Sequence, residues 1–185
     1  MNDLLTAAAE IHDFCLARNW RFCIIGGREV ARWGQPRATQ DVGVSLLSGL
    51  GREDEFISEL LNHFQGRLPD THGFARESRV VLAQPSNGVA FDIALAAFPF
   101  EEQVIDRATS FEFADSITLI TVSAEDLVVL KAFAGRDQDW SDVQSIVTRS
   151  ASSFDWDHAL RELTSLSELR DDTSAVERLS SLQGS

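Results

Sequence analysis

Two glycines and two aspartates are the residues of this sequence whose types and spacing suggest chemistry. Gly26 and Gly27 follow directly after the apolar run Phe22–Ile25, where a buried strand is expected to turn into a short helix. Glycines at such a turn let backbone amides approach an anion closely, and the N-terminal end of a helix attracts negative charge. The pattern indicates a phosphate-binding turn, and a turn with a purely structural role is the alternative.

The two aspartates, Asp41 and Asp92, lie in segments that alternate as β-strands. Asp41 falls in the strand predicted over 39–47, and Asp92 lies mid-strand on a face otherwise made of Ala90 and Ala94. An ionised carboxylate costs several kcal/mol to bury without a partner. One interpretation is an aspartate paired with an arginine. The other is that both aspartates lie on adjacent strands and hold Mg²⁺ together, with space for a substrate above the two alanines.

Residues 22–44 resemble the signature of the DNA-polymerase-β-like nucleotidyltransferase superfamily, and in particular its toxin-type (AbiEii, abortive-infection) branch. That family shows a Gly-Gly or Gly-Ser turn, an Asp-x-Asp strand and a third aspartate on a later strand. Here Gly26-Gly27, Asp41 and Asp92 match three of those features. The resemblance implies an α/β (α+β) nucleotidyltransferase fold, with a small mixed sheet flanked by helices and a C-terminal helical bundle.

The segment 123–143 also resembles this branch, in which a helix opened by Glu-Asp-Leu presents a lysine. That lysine is Lys131, and the resemblance implies that its ammonium neutralises nucleotide phosphate charge in the transition state. A surface lysine with a buried stem is the alternative. An Arg-x-x-Asp-x-x-Asp segment follows, and we expect its charged side chains to hold the lysine helix in place: Arg136, Asp139 and Asp142.

The sequence departs from the family pattern at Gly43, where the family has its second metal-binding aspartate. Glycine supplies no ligand and loosens a strand, and Ser45 on the same face is an uncharged substitute. Catalysis by the family mechanism is therefore expected to be severely impaired. Either this branch is degenerate, or the residue was altered to silence a toxic activity.

The resemblance and the glycine turn together define an expected site. Its catalytic residues are Asp41, Asp92 and Lys131, with the two aspartates as metal ligands and Asp92 also as the general base. The cofactor is Mg²⁺ or Mn²⁺, and the substrate is an NTP. The expected nucleotide-binding residues are Gly26, Gly27, Arg28, Arg37, Thr39 and Lys131, although solvated surface charge is the alternative for the arginines.

The composition disfavours several classes of function. The chain of 185 residues has 29 acidic against 16 basic residues and a net charge of −13, which disfavours bulk binding to nucleic acid or anionic membrane. Two cysteines without a spacing motif fit a reduced, cytoplasmic protein. No signal peptide is expected, because the N-terminal residues lack a basic region followed by an apolar one. No membrane span is expected either, because the longest apolar stretch, 89–100, is too short and contains Asp92.

The elements predicted from periodicity are a mixed α/β core over 1–122 and a helical part over 123–185, packed together as one compact unit. The expected helices of the second part span about 124–134, 138–148, 155–169 and 173–182. A hairpin is expected around Asn87-Gly88.

The resulting hypothesis is transfer of an NMP from an NTP to a hydroxyl of a protein or tRNA acceptor. The family resemblance adds a role as the toxin of a toxin–antitoxin system, with an antitoxin protein as partner. The alternative is a catalytically inactive binding or regulatory module on the same scaffold, which Gly43 and the charged pair Arg28-Glu29 favour.

Overall fold

A computed structural model describes residues 3–26, 32–35, 40–113 and 117–183. The described residues divide into two compact units. The first contains 3–26, 40–113 and 117–122, and the second contains 32–35 and 123–183. All described β-strands belong to the first unit, and the second is helical. The packing of the helical part on the core stays a prediction.

The first unit is built on a mixed sheet of seven described strands in the order β3-β4-β5-β2-β1-β7-β6. Their bounds are β1 Phe22–Ile25, β2 Asp41–Leu47, β3 Gln65–Gly66, β4 Val80–Gln84, β5 Ala90–Ala96, β6 Thr109–Glu112 and β7 Thr118–Thr121. The pairs β2–β5 and β1–β7 are parallel, and the other pairs are antiparallel. The predicted hairpin joins β4 to β5, with the Gly88 amide donating to the Pro85 carbonyl at 3.0 Å.

The hydrophobic core lies on one face of this sheet because apolar side chains alternate along its central strands. On β2 the buried residues include Val42, Val44 and Leu46, and on β5 they include Phe91 and Ile93. The same buried cluster takes residues from the first two helices, α1 Asp3–Ala17 and α2 Glu53–His63. The strand pleat therefore directs Asp41, Gly43 and Asp92 to the other face.

The remaining described helices are α3 Thr71–Ser78, α4 Pro99–Asp106, α5 Ala124–Ala134, α6 Asp137–Ser150, α7 Trp156–Glu168 and α8 Ser174–Ser181. The helices predicted for the second unit are confirmed to within two residues at each end. None of the described helices is long and apolar enough to cross a membrane.

Helices α3 and α4 and strand β3 were not expected from the sequence, because they are short and their buried faces are small. In α3 only Thr71 and Ala75 are buried, and the helix begins where the Asp70 carboxylate accepts a hydrogen bond from the Gly73 amide at 2.8 Å. The short helix expected near 30–33 lies largely outside the described residues. The strand predicted over 39–47 begins at Asp41 in the described chain.

Candidate functional site

The glycine turn at the end of β1 is described as far as Gly26. This residue has φ +121°, a conformation that side chains with a Cβ atom rarely adopt. A Cβ atom here would lie 3.5 Å from the Gly43 amide nitrogen and 3.6 Å from its Cα atom. The turn therefore passes directly beside the middle of the candidate site. Gly27, Arg28, Arg37 and Thr39, predicted to bind nucleotide, lie outside the described residues.

The register of β2 and β5 brings Asp41 and Asp92 to the same face of the sheet. Asp41 pairs with Ala90, and Gly43 pairs with Asp92, so the two aspartates are diagonal neighbours on adjacent strands. Strand spacing and rise put their Cα atoms about 8 Å apart. Asp41 is exposed and Asp92 is partly buried. Two carboxylates at this separation have room for one cation between them.

Gly43 occupies the position between these residues, and its backbone has no room for a side chain. A Cβ atom built there would overlap the carbonyl oxygen of Ile25, and it would lie 3.2 Å from the carbonyl carbon of the same residue. The contact with the oxygen is closer than 3.0 Å, which Cβ atoms essentially never show. Glycine at 43 is therefore part of how β1 and β2 fit together.

Asp92 is ion-paired with Arg67, a residue that sequence reasoning did not single out. The Nη1 nitrogen of Arg67 donates to Asp92 Oδ1 at 2.6 Å and to the Phe91 carbonyl oxygen at 3.1 Å. The pairing of an aspartate with an arginine, one of the two interpretations above, thus applies to Asp92. Arg67 follows the unpredicted strand β3, so no pattern in the sequence placed it beside β5.

A divalent cation such as Mg²⁺ requires several oxygen ligands. Among the described residues there is no group of three or more His, Cys, Asp or Glu side chains that could hold a metal. Mg²⁺ is nevertheless commonly bound by one or two carboxylates together with substrate phosphates. Asp41 and Asp92 fit one Mg²⁺ held jointly with a nucleotide, and they do not provide for a second ion.

Lys131 lies in the second unit, where its side chain is 8% exposed. Its Nζ nitrogen donates to Asp142 Oδ2 at 2.7 Å and to Asp139 Oδ1 at 3.4 Å. Arg136 binds the other side of Asp139, with its Nε nitrogen 2.6 Å from Oδ2. The structure thus shows the expected charge network joining α5 to α6. Contact of Lys131 with a nucleotide phosphate stays a prediction.

A cavity of about 610 Å³ opens at the end of β2 opposite to Asp41, beside Leu47. Three arginines in its lining are each ion-paired with a carboxylate of the chain: Arg18 with Glu59, Arg21 with Glu102, and Arg52 with Glu55. Because its cations are already neutralised, this cavity offers little net attraction for an anion, and it is separate from the aspartate pair.

Comparisons with known proteins identify the fold. No protein-family model matches the sequence, and no curated protein matches it. Among solved structures, an antigenic nucleotidyltransferase-like protein from Paracoccidioides brasiliensis has a TM-score of 0.58 at 16% identity, covering 95% of this chain and 93% of that chain. The lincosamide antibiotic adenylyltransferase LnuA, in its lincomycin-bound structure, has a TM-score of 0.51 at 12% identity, covering 74% of this chain and 92% of that chain.

The antibiotic-resistance factor ANT(2'')-Ia gives a TM-score of 0.52 at 18% identity, covering 94% of this chain and 95% of that chain. The predicted α/β nucleotidyltransferase fold is thereby confirmed. At these identities the likeness shows the fold alone, and the toxin-type branch stays a prediction.

Proposed function

We propose that the chain binds a nucleoside triphosphate beside Gly26 and transfers its NMP group slowly to an acceptor hydroxyl, which breaks the bond to the β-phosphate and releases pyrophosphate. The observation that carries this proposal is the β2–β5 register, which brings Asp41 and Asp92 together next to the glycine turn. Two of the structural neighbours, an adenylyltransferase and an antibiotic-resistance factor, support the general reaction class. The resemblance adds a protein or tRNA acceptor and a role as a toxin paired with an antitoxin.

In this proposal Asp41 and Asp92 would hold one Mg²⁺ or Mn²⁺ together with the triphosphate. A bound divalent cation would neutralise phosphate charge during the transfer. The backbone amides of the turn at Gly26-Gly27 contact the β- and γ-phosphates. Asp92, which lies mid-strand, accepts the proton of the attacking hydroxyl. The reaction is slow because position 43 contributes no third carboxylate.

The experiment uses α-labelled NTPs, Mg²⁺ and cell extract as a source of acceptors, with transfer of label measured on protein and RNA. Asp41→Asn and Asp92→Asn are expected to abolish transfer. Asp106→Asn is the matched control, because Asp106 is an exposed aspartate that pairs with Arg21. If both site variants transfer label at the wild-type rate, the assignment of the reaction to this site is wrong.

A nucleotide-binding module without chemistry is the second candidate. It is favoured by the absence of room at Gly43 and by the Arg67–Asp92 pair, which together leave the site one carboxylate short and partly neutralised. The label-transfer assay distinguishes the two functions, because the module transfers no label under any condition. Calorimetry should still show that the module binds NTP and loses this binding on Asp41→Asn. Transfer above the Asp92→Asn background contradicts the module.

A further inference from the structure

The ion pair between Arg67 and Asp92 places a positively charged guanidinium group at the candidate site. We propose that Arg67 is the resident counter-ion of Asp92 and competes with a divalent cation for that carboxylate. This inference rests on the proposed function, because it concerns the same metal-binding aspartate. It makes Arg67 a determinant of how tightly the site holds its metal.

The position of Arg67 is fixed by its backbone as well as by its side chain. Its amide donates to the Leu82 carbonyl at 3.0 Å, and Leu82 on β4 is the register partner of Asp92 on β5. The Arg67 side chain thus reaches across β4. There Nη1 is shared between Asp92 Oδ1 at 2.6 Å and the Phe91 carbonyl at 3.1 Å. Two acceptors on one nitrogen hold the guanidinium over β5.

Competition follows from the charges that meet at Asp92. Asp92 carries one negative charge and Arg67 carries one positive charge, so this ion pair is neutral as a whole. A divalent cation at the aspartate pair must either displace the guanidinium or lie close to a like charge. Both outcomes weaken metal binding relative to a site without Arg67.

The size of the effect follows from the exposure of the pair. The side chains of Arg67 and Asp92 are 29% and 43% exposed, so solvent screens much of their attraction. Ion pairs of this kind correspond to about a two- to fivefold change in an equilibrium constant. Replacing Arg67 by a neutral residue is therefore expected to tighten metal binding by about two- to fivefold.

The test is titration of the full chain with Mn²⁺ alone, in which the electron paramagnetic resonance signal of free Mn²⁺ reports binding. Arg67→Gln is expected to bind Mn²⁺ about two- to fivefold more tightly than the wild type. Arg67→Lys keeps the positive charge and is expected to stay within about twofold of the wild type. Arg76→Gln is the matched control, because Arg76 is exposed and pairs with Asp54, and it removes the same net charge.

Asp92→Asn and Asp41→Asn separate failure of this inference from failure of the proposed function. If both variants lose Mn²⁺ binding but Arg67→Gln binds no more tightly than the wild type, the metal site stands and competition by Arg67 is refuted. Weaker binding by Arg67→Gln refutes it too, because Arg67 would then orient Asp92 for the metal. If neither aspartate variant changes Mn²⁺ binding, the metal site itself is absent, and both proposals fall.

Discussion

Substitution of Gly43 by aspartate introduces the residue type that the family resemblance predicts there, yet the structure predicts that it will destabilise the protein. The new Cβ atom would overlap the Ile25 carbonyl oxygen, and the Ile25 Cγ1 atom would lie 3.4 Å away. Since the obstacle is backbone of the paired strand β1, either β1 or β2 must shift. Forcing atoms into such a packed position typically costs about 1–3 kcal/mol.

For a chain of this length, a loss of about 2 kcal/mol lowers the melting temperature by about 4–8 °C. Gly43→Ala is the matched control, because it adds the same Cβ atom without the carboxylate. Thermal and urea unfolding should therefore show both variants destabilised, with the alanine variant accounting for most of the loss. If the free energy of unfolding of Gly43→Ala lies within about 0.5 kcal/mol of the wild-type value, the strands accommodate the Cβ atom and the steric argument is wrong.

Three further outcomes are expected elsewhere in the chain. Lys131→Met removes the ammonium that contacts the buried Asp142 carboxylate. Urea unfolding should therefore show a free energy of unfolding lower by about 3–5 kcal/mol. A decrease below about 1 kcal/mol would contradict the charge network. Burial raises the pKa of the Cys15 thiol to about 12, so iodoacetamide at pH 8 should label Cys15 only after unfolding; rapid labelling of the native chain would contradict this. The pKa of Glu53 is lowered, first by its own backbone amide and then by Arg79. Its stabilising contribution is therefore present above the ordinary carboxyl pKa and is lost as pH falls through the lowered value. Melting temperatures between pH 5 and pH 3 should fall less steeply for Glu53→Gln than for the wild type.

The order of elements and much of the strand geometry were predictable because they depend on local patterns. Val42, Val44 and Leu46 alternate with polar or small residues, and this period of two fixes which face of β2 is buried. The Asn87-Gly88 pair specifies a hairpin in the same local way. In consequence, the common face of Asp41 and Asp92 could be anticipated once their strands were predicted.

Arg67 and the close packing at Gly43 could not be predicted, because both arise from contacts between distant segments. Arg67 is 25 residues from Asp92 in the sequence. Its side chain reaches Asp92 only because β3 adds to the edge of the β4–β5 hairpin. The two-residue strand β3 has no periodicity to detect. The steric constraint at Gly43 depends on how closely Ile25 approaches from β1, which no property of β2 alone encodes.

These two features bear on why Gly43 stands where the family resemblance predicts a third carboxylate. A single alteration of aspartate to glycine would leave the surrounding backbone spaced for a side chain, whereas here the Ile25 carbonyl occupies that space. It would also leave Asp92 available to a metal, whereas here Arg67 already neutralises it. The first difference reduces the volume available to a cation between β2 and β5, and the second reduces the negative charge there. For the proposed metal site, this agreement favours adaptation to at most one ion over a single recent alteration at position 43. It also implies that Gly43→Asp combined with Arg67→Gln should bind Mn²⁺ more tightly than either single variant, provided that the strands can open to admit the new carboxylate.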